Sequence, residues 1–353
     1  MLKKKRFWLG MAVTVICLYF VFRGIDFKEL FEILAGINVW MLAGVICVYL
    51  FGYYIRAVRW HYLLKHIKIF KPKELFPYLV MGFMANNIFP ARAGEFIRAY
   101  LTGAKKGISK SSAFASIIIE RVFDGLVMIF YFILGYMAFH FVDAAVTAKQ
   151  DVPEFEMFGA VVGIKEAVTV FAVLGSAVFI AIFILCLFLI NRKEKTVKFL
   201  YRFMSVFPEK FGEMFNKLID AFIEGLGVLR SKRDFFTALF YSFAAWTIEV
   251  GTYYFMAKAM GFELNFLLVC LVMAVANFAI MAPSTSGGVG PFEFFGLGVI
   301  LLFIDQKTEA AAYILIIHAM ILIPIIILGI IFMFTEGMDF KKLMKVKEEE
   351  KDA

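Results

Sequence analysis

Charge, cysteine and histidine are all scarce in this 353-residue chain. Charged residues make up 19% of it, while 62% is hydrophobic and the mean hydropathy is +0.82. Soluble domains are typically about 25% charged and about 45–50% apolar. The four cysteines stand singly in apolar runs without Cys-x-x-Cys spacing, and the four histidines are scattered. A disulfide framework and a metal site are therefore not indicated, and we expect an all-α polytopic integral membrane protein.

Sequence signatures of catalysis are missing as well. The chain has no nucleotide-binding glycine loop, no His-Glu-x-x-His and no Gly-x-Ser-x-Gly motif. No stretch outside the apolar runs exceeds roughly 45 residues, below the usual domain size of about 50–200. We expect no catalytic residues and no cofactor. The net charge of +8 comes from lysines and arginines between apolar runs, which favours membrane lipids over nucleic acid as the partner.

Six apolar runs are long enough to cross a bilayer, at about 20 residues per crossing. They lie near 7–23, 38–57, 112–140, 166–190, 235–257 and 309–334. The first follows basic residues but lacks an Ala-x-Ala-like cleavage site, so we expect an uncleaved span rather than a signal peptide. Lysine and arginine are concentrated in alternate loops, and the positive-inside rule then predicts that both termini are cytoplasmic.

Two further apolar runs, 75–103 and 264–304, are interrupted by proline and glycine. The arms of the first hairpin are too short for each to cross a hydrocarbon core of about 30 Å, so it should re-enter. The second hairpin either re-enters or spans fully. Together with the neighbouring spans, the hairpins make 38–140 and 235–334 inverted repeat units. Transporters of this design bind substrate where discontinuous helices meet near the midplane.

The domain organisation follows from these assignments. Residues 1–340 are expected to form a single transmembrane domain, followed by a charged cytoplasmic tail at 341–353. Within the domain, 191–234 is too charged to span and has near-helical apolar spacing, so it is predicted to form two cytoplasmic amphipathic helices. These helices either pack on the protein as a solvated connector or anchor on the membrane surface.

The broken hairpins carry the residues expected to bind substrate. An arginine at bilayer depth is costly unless it pairs with an acid or a ligand phosphate, and Arg92 and Arg98 are such residues. The helix that begins near Gly94 adds the partial positive charge of its N-terminus. The second hairpin offers hydroxyls and approachable backbone N–H groups. The expected substrate-binding residues are Arg92, Arg98, Glu95, Asn87, Ser284, Thr285, Ser286, Gly287, Gly288 and Glu293.

Acidic side chains near these breaks allow two interpretations. Glu95 and Glu293 either stabilise the first turn of their own helices or act as counter-ions to arginine, meet a cationic headgroup or titrate. Glu120 and Asp124 share one helical face and form either salt bridges to Arg92, Arg98 or Arg56 or direct substrate contacts. The expected supporting charge network is Arg56, Glu120, Arg121 and Asp124.

Three other polar features lie in or beside apolar runs. Arg56, Arg59 and Trp60 follow the second span and are expected to form an interfacial anchor, with a lipid-phosphate contact as the alternative. Glu249 and His318 each stand alone in a span. Each forms either a helix–helix hydrogen bond or part of a proton relay.

These motifs together resemble the membrane domain of the lysylphosphatidylglycerol synthase/flippase family, over roughly residues 5–335. The resemblance rests on four elements: Arg56-x-x-Arg59-Trp60, Asn87-x-x-Pro90-x-Arg92-x-Gly94-Glu95-x-x-Arg98, Glu120-Arg121-x-x-Asp124 and Gly287-Gly288-Val289-Gly290-x-x-Glu293.

The resemblance implies translocation of phospholipids between leaflets, with the site at the two hairpins. Family members that synthesise lysylphosphatidylglycerol carry a cytosolic aminoacyl-transferase domain after the membrane part, and this sequence ends at Ala353. We therefore expect transport without synthesis, in the inner (cytoplasmic) membrane. The cargo is an anionic or aminoacylated phospholipid or a polyprenyl-phosphate. The alternatives are an integral-membrane enzyme acting on a lipid-linked sugar or phosphate, and a non-catalytic partner of a lipid-modifying enzyme. The expected protein partner is a second copy of the chain, in a homo-oligomer, or a lipid-modifying enzyme.

Overall fold

The computed structural model describes residues 5–89, 93–146, 154–157, 160–163, 231–280 and 286–339, with isolated helical positions between 173 and 198. These parts are almost entirely helical. The helices are α1 (Lys5–Phe22), α2 (Phe27–Ala35), α3 (Val39–Leu64), α4 (Pro72–Ile88), α5 (Gly94–Lys106), α6 (Lys110–Val146), α7 (Lys232–Ala259), α8 (Phe266–Ala279), α9 (Pro291–Ile300) and α10 (Lys307–Thr335). A short antiparallel hairpin pairs β1 (Glu154–Met157) with β2 (Ala160–Gly163), and Ser286–Gly288 forms a 3-10 turn.

Helix starts follow side-chain caps that the sequence supplies. The side-chain oxygens of Asp26, Asn38 and Asn265 accept backbone N–H groups two residues ahead at 2.8, 2.9 and 2.8 Å. Such caps satisfy donors that the first helical turn leaves unpaired. The cap at Asp26 starts α2, a helix that the apolar runs did not predict.

The predicted runs 38–57, 112–140, 235–257 and 309–334 coincide with α3, α6, α7 and α10. By length and composition, α3 and α10 are long and apolar enough to cross a membrane. The segment Trp8–Phe22 and α2 meet at 88°, and that bent pair would make a third crossing. Six full spans therefore stay a prediction, and most of the run 166–190 lies outside the described residues.

The helices pack in a pattern that pairs elements from the two ends of the chain. At the centre, α3 lies along α7. The first hairpin, α4 with α5, packs its first arm against α10, and the second hairpin, α8 with α9, packs its first arm against α6. Each hairpin thus lies between two long helices. One apolar cluster surrounds Tyr253 and Phe292, and a second surrounds Trp60 and Phe123.

Glycines close both hairpins. At Gly94 a Cβ would lie 1.9 Å from the Gly82 carbonyl oxygen, so only glycine lets α5 approach α4 this closely. The Gly94 N–H donates to Asn86 Oδ1 at 2.8 Å, which closes the first break. In the second hairpin, Gly287 and Gly290 have φ values of +74° and +99°, a backbone region that other residues rarely adopt.

Several predicted features lie outside the described residues. They are Arg92, Ser284, Thr285, the amphipathic segment 191–234 except Lys198 and residues 231–234, and the tail 341–353.

Candidate functional site

A buried network of arginine and carboxylate side chains joins α3, α5 and α6. Arg98 Nη1 and Nη2 donate to the two carboxylate oxygens of Glu120, both at 2.9 Å. Arg59 Nη2 lies 3.3 Å from Glu120, and Arg59 Nη1 donates to Asp124 Oδ1 at 2.5 Å. The four-residue spacing does place both acids on one face of α6. Glu120 therefore forms a salt bridge with Arg98, which is one of the two alternatives expected for it.

Tryptophans and a hydroxyl complete this network from α3 and α7. Trp246 Nε1 donates to Asp124 Oδ1 at 2.8 Å, and Arg59 Nη1 donates to Ser242 Oγ at 3.1 Å. The guanidinium carbon of Arg98 lies 3.6 Å from the centre of the Trp60 ring, a cation–π contact. These partners hold the charged groups where bulk water is excluded.

A second buried pair extends the network along α3 and α7. Arg56 Nη2 donates to Glu249 Oε2 at 2.8 Å, and both side chains are buried. The expected interfacial anchor is therefore wrong, because Arg56, Arg59 and Trp60 are 5%, 0% and 0% exposed. Guanidinium groups at this depth gain more by pairing with carboxylates of neighbouring helices than by lying at the membrane surface. Glu249 of α7 is the partner of Arg56 of α3, which is the helix–helix hydrogen bond expected as one of its two alternatives.

The network becomes accessible at the first hairpin. Arg121 Nη2 donates to Glu120 Oε1 at 2.6 Å, whereas Arg121 Nε lies 3.7 Å from Glu95 Oε1. The side chains of Arg121 and Glu95 are 30% and 22% exposed, and the Arg121 guanidinium lies 5.4 Å from the Phe83 ring centre. Arg121 and Glu95 thus form the open edge of the network.

Charge is balanced across the described members, but hydrogen-bond donors are in excess. The network holds four arginines and four carboxylates. Within the described residues, each arginine keeps one buried nitrogen that donates to no hydrogen-bond acceptor. These groups are Arg56 Nη1, Arg59 Nε, Arg98 Nε and Arg121 Nε. A buried donor without an acceptor is uncommon in proteins, and a ligand oxygen is one way to satisfy it.

The second hairpin carries a separate polar cluster. Glu293 Oε2 accepts a hydrogen bond from the Gly290 N–H at 2.7 Å. This bond stabilises the first turn of α9, which is one of the two interpretations expected for Glu293. Glu293 Oε1 also lies 2.5 Å from His318 Nδ1, and His318 Nε2 lies 3.0 Å from the Gly287 carbonyl oxygen. The Phe292 ring stacks on the imidazole with the ring centres 4.1 Å apart. His318 of α10 therefore pairs with Glu293 of α9, the helix–helix hydrogen bond expected as one of its two alternatives.

The two hairpin breaks meet at this turn. A Cβ on Gly287 would lie 3.4 Å from the Asn87 carbonyl oxygen and 3.2 Å from Leu322. Ser286 is half-buried beside it, and a Cβ on Gly288 would lie 2.8 Å from Ile280. The structure thus brings the end of α4 against the turn of the second hairpin.

The predicted site residues fall into two groups. Arg98 and Glu95 join the expected supporting residues in the charge network, while Asn87, Gly287 and Glu293 meet at the second turn. The sequence interpretation left these participants out of the site: Arg59, Trp60, Ser242, Trp246, Glu249 and His318. Their signal was a polar side chain inside or beside an apolar run, which at membrane depth indicates a buried partner.

Comparison with known proteins supports the family resemblance. Glycosyltransferase AglD of Haloferax volcanii is 27% identical over 86% of this chain, which spans about half (50%) of that protein's length. The UPF0104 membrane protein PH1989 of Pyrococcus horikoshii is 24% identical over 88% of this chain and 90% of its own. A UPF0104 membrane protein of Methanothermobacter thermautotrophicus is 23% identical over 72% of this chain and 74% of its own. Residues 7–329 match the family model described as the lysylphosphatidylglycerol synthase TM region. The chain therefore belongs to this family of multi-pass membrane proteins.

Proposed function

We propose that this protein moves a lipid with an anionic phosphate headgroup between the two leaflets of the membrane. The observation that carries the proposal is a charge-balanced arginine–carboxylate network that is buried at one end and accessible at Arg121 and Glu95. A headgroup crossing the hydrocarbon layer needs polar partners at depth, because unpaired charges there are costly. An accessible ion pair at a helix break offers such partners.

The proposed entry step exchanges the partner of Arg121. The Arg121 Nε to Glu95 distance of 3.7 Å is longer than a hydrogen bond, and that N–H has no hydrogen-bond acceptor among the described residues. A phosphate oxygen would make a short charge-assisted hydrogen bond there. The released Glu95 carboxylate would then face an ammonium group if the lipid is aminoacylated.

The other arginines of the first hairpin have different proposed parts. Arg92 is the second proposed phosphate ligand. Both terminal nitrogens of Arg98 bind Glu120, so Arg98 is proposed to fix that carboxylate first. The spare Arg98 Nε–H joins the phosphate only when the network rearranges. Asn87 and the second turn are proposed to shape the path beside it.

An inverted repeat is the proposed architecture behind this path. Under that repeat α3 corresponds to α7, α4 and α5 to α8 and α9, and α6 to α10. The observed packing has the same symmetry. The α3–α7 contact joins two corresponding helices, and the contact of α4 with α10 corresponds to the contact of α8 with α6. This symmetry of packing supports the repeat. Six full spans, two re-entrant hairpins, cytoplasmic termini and a place in the inner membrane are proposed together with it.

A second candidate function is an integral-membrane enzyme acting on a lipid-linked sugar or phosphate. The similarity to AglD, which is named a glycosyltransferase, favours it. Glu95 is the acid/base candidate in that case, because its side chain is 22% exposed at the edge of the network.

Leaflet exchange in proteoliposomes tests the proposal. Vesicles carrying fluorescent phosphatidylglycerol are treated with a reductant that cannot cross the membrane, so that only probe reaching the outer leaflet is quenched. The proposal expects the inner-leaflet pool to be quenched only in vesicles that contain the protein. A labelled polyprenyl-phosphate is the second cargo. Conversion of that lipid into a product would favour the enzyme, and retention of both lipids in the inner leaflet would contradict transport.

A further inference from the structure

The pair formed by His318 and Glu293 has one proton more than a neutral imidazole beside a carboxylate. The Gly287 carbonyl oxygen can only accept, so His318 Nε2, 3.0 Å away, carries a hydrogen. His318 Nδ1 lies 2.5 Å from Glu293 Oε1. Two bare lone pairs would repel at that distance, so a proton lies between these atoms. The pair is either imidazolium with carboxylate or imidazole with carboxylic acid, and both forms are neutral overall.

Loss of that proton leaves one hydrogen for two acceptors. A neutral imidazole donates from only one ring nitrogen, and the Glu293 carboxylate is a stronger acceptor than the Gly287 carbonyl. The donor would move to Nδ1, and the bond to Gly287 would be lost. The Glu293 bond to the Gly290 N–H needs no such proton and would remain.

The bond that depends on the proton joins the second hairpin to α10. Gly287 lies beside both Leu322 of α10 and the Asn87 carbonyl at the end of α4. Its φ of +74° gives the turn a conformation that only glycine adopts readily. The hydrogen bond to the Gly287 carbonyl is therefore made or broken at the place where the two hairpins meet.

We propose that His318 and Glu293 form a proton-binding site that latches the turn of the second hairpin to α10 when protonated and releases it when deprotonated. Other titratable groups face these elements: Cys17 from α1, Tyr49 from α3 and Tyr253 from α7. Thiols and phenols ordinarily titrate at about 8.5 and about 10, above the range of histidine. The latch does not depend on the cargo; under the proposed function it gives transport a proton dependence.

Nitrogen NMR of the full chain in lipid nanodiscs tests the proton count directly. Histidine is labelled with 15N, and the spectrum of His318→Gln identifies the His318 signals. We expect both His318 ring nitrogens to be protonated, or to share a proton with Glu293, at the acidic end of a pH series, and one of them to be bare at its alkaline end, which is kept below the range in which thiols titrate. A bare His318 nitrogen at the lowest pH would overturn the site. Two protonated nitrogens throughout the range would overturn the release.

Glu293→Gln supplies a matched variant for the latch. Its amide is neutral, can donate to Nδ1 and can still accept from the Gly290 N–H, so it mimics the protonated pair at every pH. The measurement is amide hydrogen exchange at residues 286–290, corrected for intrinsic rates. In the original protein the protection factors of these amides should fall about tenfold as the pH rises, as expected for the loss of one hydrogen bond. The variant should keep its protection, while α3 serves as an internal reference. Equal pH dependence of the turn in both proteins would overturn the latch.

Discussion

Neutralising Glu120 should destabilise the protein more than any change on its surface. Glu120 is fully buried and contacts Arg98 at 2.9 and 2.9 Å, Arg121 at 2.6 Å and Arg59 at 3.3 Å. Glu120→Gln keeps the shape but replaces one acceptor oxygen with an NH₂ donor that would face arginine N–H groups. The described network then carries one uncompensated positive charge. Removing one partner of a buried ion pair costs about 3–5 kcal/mol, and we expect a loss of unfolding free energy in that range.

The measurement is unfolding in mixed micelles of SDS and a mild detergent, followed by the helical circular dichroism signal. Lys28→Gln is the control, because it breaks the exposed Lys28–Glu32 pair at 3.9 Å and should leave the transition unchanged. In an Arg98→Met background the cost of Glu120→Gln should fall by about 1–3 kcal/mol, the usual coupling between contacting groups. A cost below about 1 kcal/mol for Glu120→Gln would refute the reasoning, since it would mean that water already solvates this carboxylate.

Three further outcomes follow from the glycines and from one ion pair outside the predicted spans. Gly287→Ala should cost about 1–2 kcal/mol in the same unfolding assay because of its positive φ, whereas Gly44→Ala, in open space on α3, should be neutral or slightly stabilising. Gly94→Ala should prevent folding of the first hairpin, seen as loss of monodisperse protein in size-exclusion chromatography, because its Cβ would lie 1.9 Å from the facing carbonyl of α4. The hydrogen bond from Lys65 lowers the pKa of Asp234. The pair therefore adds stability above about pH 3.9, and this stability is lost as the pH falls through the lower pKa of the folded state. Lys65→Gln should flatten that part of the curve of unfolding free energy against pH.

Much of the helical framework could be predicted from the sequence. Apolar runs and capping side chains are local signals, so α3, α6, α7 and α10 were placed correctly from the chain alone. The breaks near Asn87 and Gly287 were also predictable, because proline and glycine interrupt otherwise continuous apolar sequence. The short helix α2 was missed because its amphipathic turns lack a long apolar run.

The partners inside the site could not be predicted in the same way. Arg56 pairs with Glu249, which is 193 positions away, and Arg59 pairs with Asp124, 65 positions away. An arginine after an apolar run fits either the membrane surface or the protein interior, and only the packing of α3 against α6 and α7 decides between them. Glu293 was correctly placed in the first turn of α9, but its second partner, His318, depends on how α10 packs.

The central claim is that a lipid phosphate replaces Glu95 at Arg121, and leaflet exchange by matched variants tests it most directly. Proteoliposomes with equal amounts of folded protein would compare the original chain with Arg121→Gln and with Lys28→Gln. The account predicts that Arg121→Gln slows exchange of fluorescent phosphatidylglycerol by at least about tenfold, as expected from losing a charged hydrogen bond, and that Lys28→Gln leaves the rate unchanged. Equal exchange rates for Arg121→Gln and the original chain would contradict it.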